Sequence, residues 1–398
     1  MSAAGFAATA ISFGPARMGF GLFVPEFKSS FEMSTPAVGY VSSLGFFGLL
    51  VGLLIAQFLL NHRGPRLPVL AGLAAATTGL AIVAAAPNLP VLALGVFLAA
   101  SSAGFAWTPF NDAVHRKIRD VDRPAALSEI SSGTAIGIAA AGVAALGMAV
   151  SGVSWRLCWA LFALASAAAL LANWAALRGV GKAAGAASAT RWRDVLRAEA
   201  MPLFVTAFVY GTTSAVFISF APDHLRSNAE LPGVPSDYLP ALVFICVGVF
   251  GLAGLLTGRA KEAIGIVWLV RLLMLAAAAS VALVALLPGS WAGLIGSSAL
   301  QGLSIMMTSA LLALWSEKLF PSLPSLSLTA ALLATASGSV LGSAVAGALS
   351  DAAGARTMFL AAAALPVLVV VMLRARHLRE LPPQQPAGMQ AVGEAAVR

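Results

Sequence analysis

The sequence predicts an all-α polytopic membrane protein of twelve transmembrane helices, and three observations carry that reading. Of 398 residues, 59% are hydrophobic and only 10% charged, whereas a soluble domain carries about 25% charged side chains. From Leu67 to Asn111, and again from Leu272 to Ser316, the chain runs 45 residues without Asp, Glu, Lys or Arg. Each run holds two spans of about 20 residues. The remaining Lys and Arg residues concentrate on alternate loops, as they do when one side of a membrane is cytoplasmic.

Apolar runs bounded by charges, Pro or Gly place the helices near 4–25, 37–60, 67–86, 91–111, 125–150, 155–177, 201–222, 238–257, 265–287, 291–315, 325–349 and 357–374. Ala86-Pro87-Asn88-Leu89-Pro90 divides the first uncharged run and Leu287-Pro288-Gly289-Ser290 the second, because Pro and Gly break helices at a water interface. Of the 24 basic residues, eighteen fall on one side and four, Lys28, Arg156, Arg226 and Arg356, on the other; Arg17 and Arg271 lie inside spans. This asymmetry predicts an inner-membrane protein with both termini and the loop 178–200 in the cytoplasm.

Residues 1–178 are read as one six-helix bundle, 179–200 as a cytoplasmic linker, 201–375 as a second six-helix bundle and 376–398 as a disordered tail. Within the linker, Arg191-Trp192-Arg193-Asp194-Val195-Leu196-Arg197 has the pattern of a short amphipathic helix on the membrane surface. The N-terminus lacks a basic n-region and a cleavage site, so its apolar segment reads as the first span. Cys158 and Cys246 lie in apolar stretches and provide neither a disulfide framework nor a thiolate metal cluster. A formal charge of +8 would suggest nucleic acid for a soluble chain; here it is the signature of membrane orientation. The bilayer is the first partner expected; no cofactor is implied, and the chain is expected to be a monomer.

The halves repeat one another. Ser132-Gly133-Thr134-Ala135-Ile136-Gly137 through Gly142 matches Ser337-Gly338-Ser339-Val340-Leu341-Gly342 through Gly347 at an offset of 205. Phe13-Gly14, Phe20, Phe23 and Pro25-Glu26 match Tyr210-Gly211, Phe217, Phe220 and Pro222-Asp223 at an offset of 197. Six helices thus recur in the same orientation. The chain resembles the major facilitator superfamily over essentially its whole length, a superfamily built on such a parallel six-plus-six repeat. The resemblance implies a cavity lined mainly by spans 1, 4, 7 and 10, contacts between bundles through spans 2, 5, 8 and 11, and alternating access by rocking of the halves.

The superfamily's loop motif after span 2, Gly-x-x-x-Asp-Arg-x-Gly-x-Arg, reads here from Gln57 to Arg66 and lacks its Gly and Asp. After span 8, Gly254 stands in the first position, but Gly258 replaces the Asp before Arg259. In span 4, Ala100-Ser101-Ser102-Ala103-Gly104 lacks the family's intramembrane Arg, while span 10 keeps Gln301-Gly302. Arg17-Met18-Gly19-Phe20-Gly21 with Pro25, and Arg123-Pro124-Ala125-Ala126 leading into Ser131-Ser132-Gly133-Thr134, resemble the bacterial branch that includes cyanate-permease-like members.

Arg17 is the chief candidate for binding. It falls near the bilayer midplane, where exposing Arg to lipid costs from about 2.5 to above 10 kcal/mol, so it must face protein or water. Either it is tied to carbonyls or a neighbouring carboxylate, or its planar fork meets an anionic group in the cavity. Phe13 and Phe20 share its face, and its repeat mate is the uncharged Ser214. Tyr210, Ser214 and Gln301 are polar groups on cavity helices. Glu129, one turn into span 5, is the proton-coupling candidate if desolvation favours its neutral form; the other reading joins it to the basic cluster of Arg116, Lys117 and Arg123. The glycine series of spans 5 and 11 reads as close helix packing.

An enzyme is not expected. His62, His115, His224 and His377 all fall in loops or the tail, and no span holds an Asp pair. A channel lacks a re-entrant filter segment. No phosphate-binding Gly-rich loop is present, so a gradient must drive transport. The expectation is a secondary transporter of a small-molecule substrate, a small organic anion, for which the resemblance implies coupling to protons and leaves exchange against another anion open; a broad exporter of apolar or cationic compounds is the alternative.

Overall fold

The computed structural model describes residues 1–180, 195–228, 231–321 and 323–374. The amphipathic stretch beginning at Arg191 lies largely outside the described residues, as does the tail. Among the described residues there are helices and no strand, and ten helices are long and apolar enough to cross a membrane. The protein is a multi-pass membrane protein.

The first half comprises α1 (Ser2–Phe13), a π-helical turn (Gly14–Met18), α2 (Gly19–Leu22), α3 (Val24–Phe31), α4 (Thr35–Arg63), α5 (Arg66–Ala85), α6 (Leu89–Ser101), α7 (Trp107–Lys117), α8 (Arg123–Ser151) and α9 (Trp155–Ala176). The second comprises α10 (Met201–Asn228), α11 (Leu239–Gly251), α12 (Thr257–Leu286), α13 (Trp291–Leu319), α14 (Pro324–Ala353) and α15 (Ala355–Met372). Ser34, Asn88 and Ser290 cap α4, α6 and α13 by accepting from backbone N–H groups of the first turn. The stretch Ser236–Leu286, 51 residues long, is interrupted at Gly265, whose φ of 77° no helical residue adopts.

Two expectations of the sequence are corrected. The first span is not one helix over 4–25: it breaks at Gly14–Met18, resumes, and its helix runs on to Phe31. Pro15 has no N–H to donate and its ring crowds the preceding turn, which the wider π-turn relieves. Helices α7 and α10 also outrun their apolar segments, to Lys117 and Asn228, because hydropathy marks where lipid ends and not where helical hydrogen bonding ends.

Helices pack where side chains vanish. A Cβ placed on Gly14 or Gly137 would overlap the backbone of the other helix, so the start of the π-turn and α8 lie backbone against backbone. Gly211 of α10 and Gly338 of α14 do the same against Thr335 and Phe208. Hydroxyls tie these contacts: Thr9 Oγ1 donates to Ile130 O at 2.6 Å, and Thr212 Oγ1 to Gly338 O at 3.0 Å. The two halves meet where α4 packs on α14 and α8 on α11, through Gly39 against Ser343 and Gly142 against Ala241. Lipid offers helices no hydrophobic reason to associate, so close contact of this kind must supply it.

Gly137→Ala should therefore destabilise the protein by about 1–3 kcal/mol, the range for overpacking. Gly147→Ala, with nothing within 4 Å of the added methyl, should be neutral or stabilising by up to about 1 kcal/mol. Thermal unfolding in one detergent compares the two.

Candidate functional site

The π-turn sets the geometry around Arg17. Such a turn adds a residue to the helix and rotates the segment beyond it, a device often found at functional positions. Arg17 lies within it, half-buried, with its Nε fully buried and without a hydrogen-bond partner. Its guanidinium stands 5.6 Å from the centroid of the Phe13 ring, within cation–π range. Phe13 in turn packs on Trp107 of α7, ring centroids 6.3 Å apart, in a cluster with Leu49 and Leu53 of α4 and Ala336 of α14.

Across the molecule, Tyr210 of α10 is the titratable side chain near enough to act electrostatically on Arg17. The Tyr210 hydroxyl donates to Ile305 O at 3.0 Å and lies 2.9 Å from Ser309 Oγ, both on α13. Ser214, one turn further along α10, is buried. The structure thus brings together Arg17, Phe13 and Tyr210, and adds Trp107 and Ser309. Ser309 is not singled out by the sequence; its four-residue step from Ile305 along α13 is the available signal.

Three sequence candidates lie elsewhere. Phe20 stacks on Phe27, centroids 5.6 Å apart, at the edge of an aromatic cluster with Phe23, Trp155 and Trp159. Gln301 accepts from Ser280 of α12 through Oε1 at 3.0 Å, inside the second half, and its Nε2 is buried without a partner. Glu129 is exposed near the start of α8. Arg271 donates to Leu373 O at 2.6 Å, which gives it a structural role at the end of α15.

The halves touch at both ends of the molecule. At one end Lys28 Nζ of α3 donates to Asp223 Oδ2 of α10 at 2.8 Å. At the other, Thr329 Oγ1 of α14 lies 3.4 Å from Gln57 Oε1 of α4. Along the chain, Arg17 stands eleven residues before Lys28 and Tyr210 thirteen before Asp223. A multi-helix membrane body joined near Lys28 and near Gln57, with a half-buried cationic group on its first broken helix, fits a membrane transporter.

The chain belongs to the family described as "Uncharacterised MFS-type transporter YbfB", whose model matches residues 9–374. Its likeness to the major facilitator superfamily is thereby established, and it is a transporter and not an enzyme. No curated protein matches it. Among solved structures, the fold is similar to that of the nucleoside transporter NupG, at 14% identity and a TM-score of 0.74, covering 93% of this chain and 97% of that one. Two others are a POT family transporter in complex with 5-aminolevulinic acid and one in complex with a thioalcohol-conjugated peptide. Each is 13% identical with a TM-score of 0.74; they cover 93% and 92% of this chain and 94% of theirs.

Tyr210→Phe removes the hydroxyl that joins α10 to α13 and leaves Ile305 O to Ser309 alone. A loss of about 0.5–1.5 kcal/mol is expected, the net value of one intramolecular hydrogen bond, read by thermal unfolding of the purified protein.

Proposed function

We propose that the protein is a secondary active transporter that carries a small organic anion across the cytoplasmic membrane by alternating access, coupled to protons. The observation that carries the substrate class is the unpartnered, buried Nε of Arg17, with an aromatic ring beneath the guanidinium and no acidic side chain acting on it. A buried cation needs acceptors. A carboxylate or comparable planar anion supplies them with matching geometry. Phe13 and Trp107 form the apolar wall, and Tyr210 and Ser214 the polar side contributed by the second half. The likeness of Arg17-Met18-Gly19-Phe20-Gly21 to cyanate-permease-like members supports a small anion, and one neighbour of the same fold is described with a small organic acid bound.

The layout that supports this reading has twelve spans in two bundles, 1–178 and 201–375. Ser236–Leu286 would span roughly 75 Å as a continuous helix, far beyond a hydrocarbon core of about 30 Å, so its break at Gly265 divides two crossings. The first crossing contains the π-turn and ends near Pro25, with Glu26 and Lys28 at the rim beyond it. With both termini cytoplasmic, the end marked by Lys28 and Asp223 faces outward. Glu129, exposed near the start of α8, is read with the cytoplasmic basic surface rather than as the proton carrier.

Cysteines at Ser227, exposed at the Lys28 end, and at Val121, 87% exposed at the other, test the orientation. An impermeant thiol reagent on intact cells should label the first and spare the second; the reverse pattern inverts the topology.

For the site, Arg17→Lys keeps the charge but loses the two-pronged geometry, and should weaken binding of the transported anion by about 1.5–3 kcal/mol. Arg17→Ala should abolish transport in proteoliposomes while the protein remains folded. Full transport by Arg17→Ala, or ligands that are neutral or cationic and indifferent to this residue, would replace the anion reading with that of a broad exporter.

A further inference from the structure

The outer end holds a second charged constellation that substrate binding does not use. Glu26 of α3 lines a small gap between the halves, together with Leu22, Ala145 and Met148 of the first half and Asp237 and Pro240 of the second. Its Oε2 is buried without a hydrogen-bond partner. Among the described residues, no Lys, Arg or His lines this gap, and the cations of the neighbouring segments are already committed. Lys28 is paired with Asp223 across the halves at 2.8 Å, and Arg226 of α10 holds Asp237, in the turn before α11, at 2.6 Å. His224, also on α10, packs its ring on Phe359. Three carboxylates, Glu26, Asp223 and Asp237, therefore share two cations, and Glu26 is the one left over. The repeat underlines its position, since Pro25-Glu26 is the counterpart of Pro222-Asp223.

We propose that closure of the outer end takes up a proton at Glu26, so that this residue is a proton-binding switch of the outer gate, neutral when the halves are shut and ionised when they part. A carboxylate with one oxygen buried and unpartnered is costlier there than the neutral acid. Parting the halves at the Lys28–Asp223 pair would admit water to the gap and remove that cost. Burial pushes the Glu26 carboxyl above the usual carboxylate range; a hydrogen bond from its own backbone N–H and, behind it, the charge of Arg226 oppose this, while Asp237 and Asp223 reinforce it. A group that holds its proton more tightly in the closed state stabilises closure at low pH, and that stabilisation fades as pH rises through the closed-state value. External acid closes the gate and external alkali releases it.

The proposal rests on the alternating-access reading but not on the charge of the substrate. The test uses the full chain in lipid nanodiscs, with Cys158 and Cys246 replaced by Ser and spin labels at Ser29→Cys and Ser227→Cys, both exposed at this end. Inter-label distance distributions are recorded from pH 5 to 9. The short-distance fraction should fall with rising pH, with the open-to-closed ratio changing by up to roughly tenfold per pH unit, the limit for one proton. Glu26→Gln, which keeps the shape of the side chain, should stay closed and vary less than about twofold over the same range, while Glu26→Asp should retain a pH response. Lys28→Ala should raise the open fraction at every pH while keeping the response. A Glu26→Gln protein with the wild-type pH response, or a wild type without one, overturns the switch. If Lys28→Ala also leaves a single short distance at every pH, the halves do not part here, and it is the alternating-access reading that has failed.

Discussion

Close contact between helix backbones is the constraint on which the rest of this structure depends. In lipid, an apolar side chain is as well placed against an acyl chain as against another helix, so association must come from packing and hydrogen bonds. Gly14 with Gly137, and Gly211 with Gly338, bring α1 to α8 and α10 to α14 so closely that no side chain could intervene. Thr9 and Thr212 then donate to backbone oxygens across the contacts. These bonds fix the height of each helix. Because α1 cannot slide along α8, the π-turn at its end must deliver Arg17 at a set depth, and because α10 is pinned in the same way, Tyr210 meets it there.

The repeat that creates this arrangement is visible in the sequence, and on that basis the glycines of the fifth and eleventh predicted spans read as packing residues. Contacts of α4 with α14 and of α8 with α11 likewise agree with the family resemblance. Side-chain direction is harder to read. Gln301 and Phe20 are polar and aromatic groups at plausible depths, yet one turns to Ser280 and the other stacks on Phe27. Hydropathy gives depth along a helix and says little about azimuth when every face is apolar. The π-turn compounds the difficulty, because ideal helical phase carried from Phe13 to Phe20 passes through a segment that does not obey it. Pro15 is the signal, and its effect is readable from its missing N–H alone.

The acidic cluster at the Lys28 end is also within reach of the sequence. Aligning the halves sets Glu26 beside its counterpart Asp223, and each comes directly after a Pro at the rim of a span. What pattern cannot supply is the distribution of cations. Lys28 pairs across 195 positions of chain and Arg226 across eleven, and only those pairings reveal which carboxylate is left without one.

Arg17 and Glu26 stand on the same broken first helix and pose opposite problems. A guanidinium does not release its proton in a protein, so the charge of Arg17 can be balanced only by an anion brought to it. A carboxylate can be neutralised in place, and a proton suffices for Glu26. With an anion at Arg17 and a proton at Glu26, as proposed, neither site keeps an uncompensated charge when the outer end shuts. With only one of them present, closure would bury either a bare cation or a bare carboxylate, each at a cost of several kcal/mol. The break at Pro15 lets one helix hold both groups, with Arg17 in the π-turn facing the centre and Glu26 beyond it facing the gate. Coupling of anion and proton would then require no relay of side chains between the sites, because a single event, the closing of the two halves, is favoured only when both are filled.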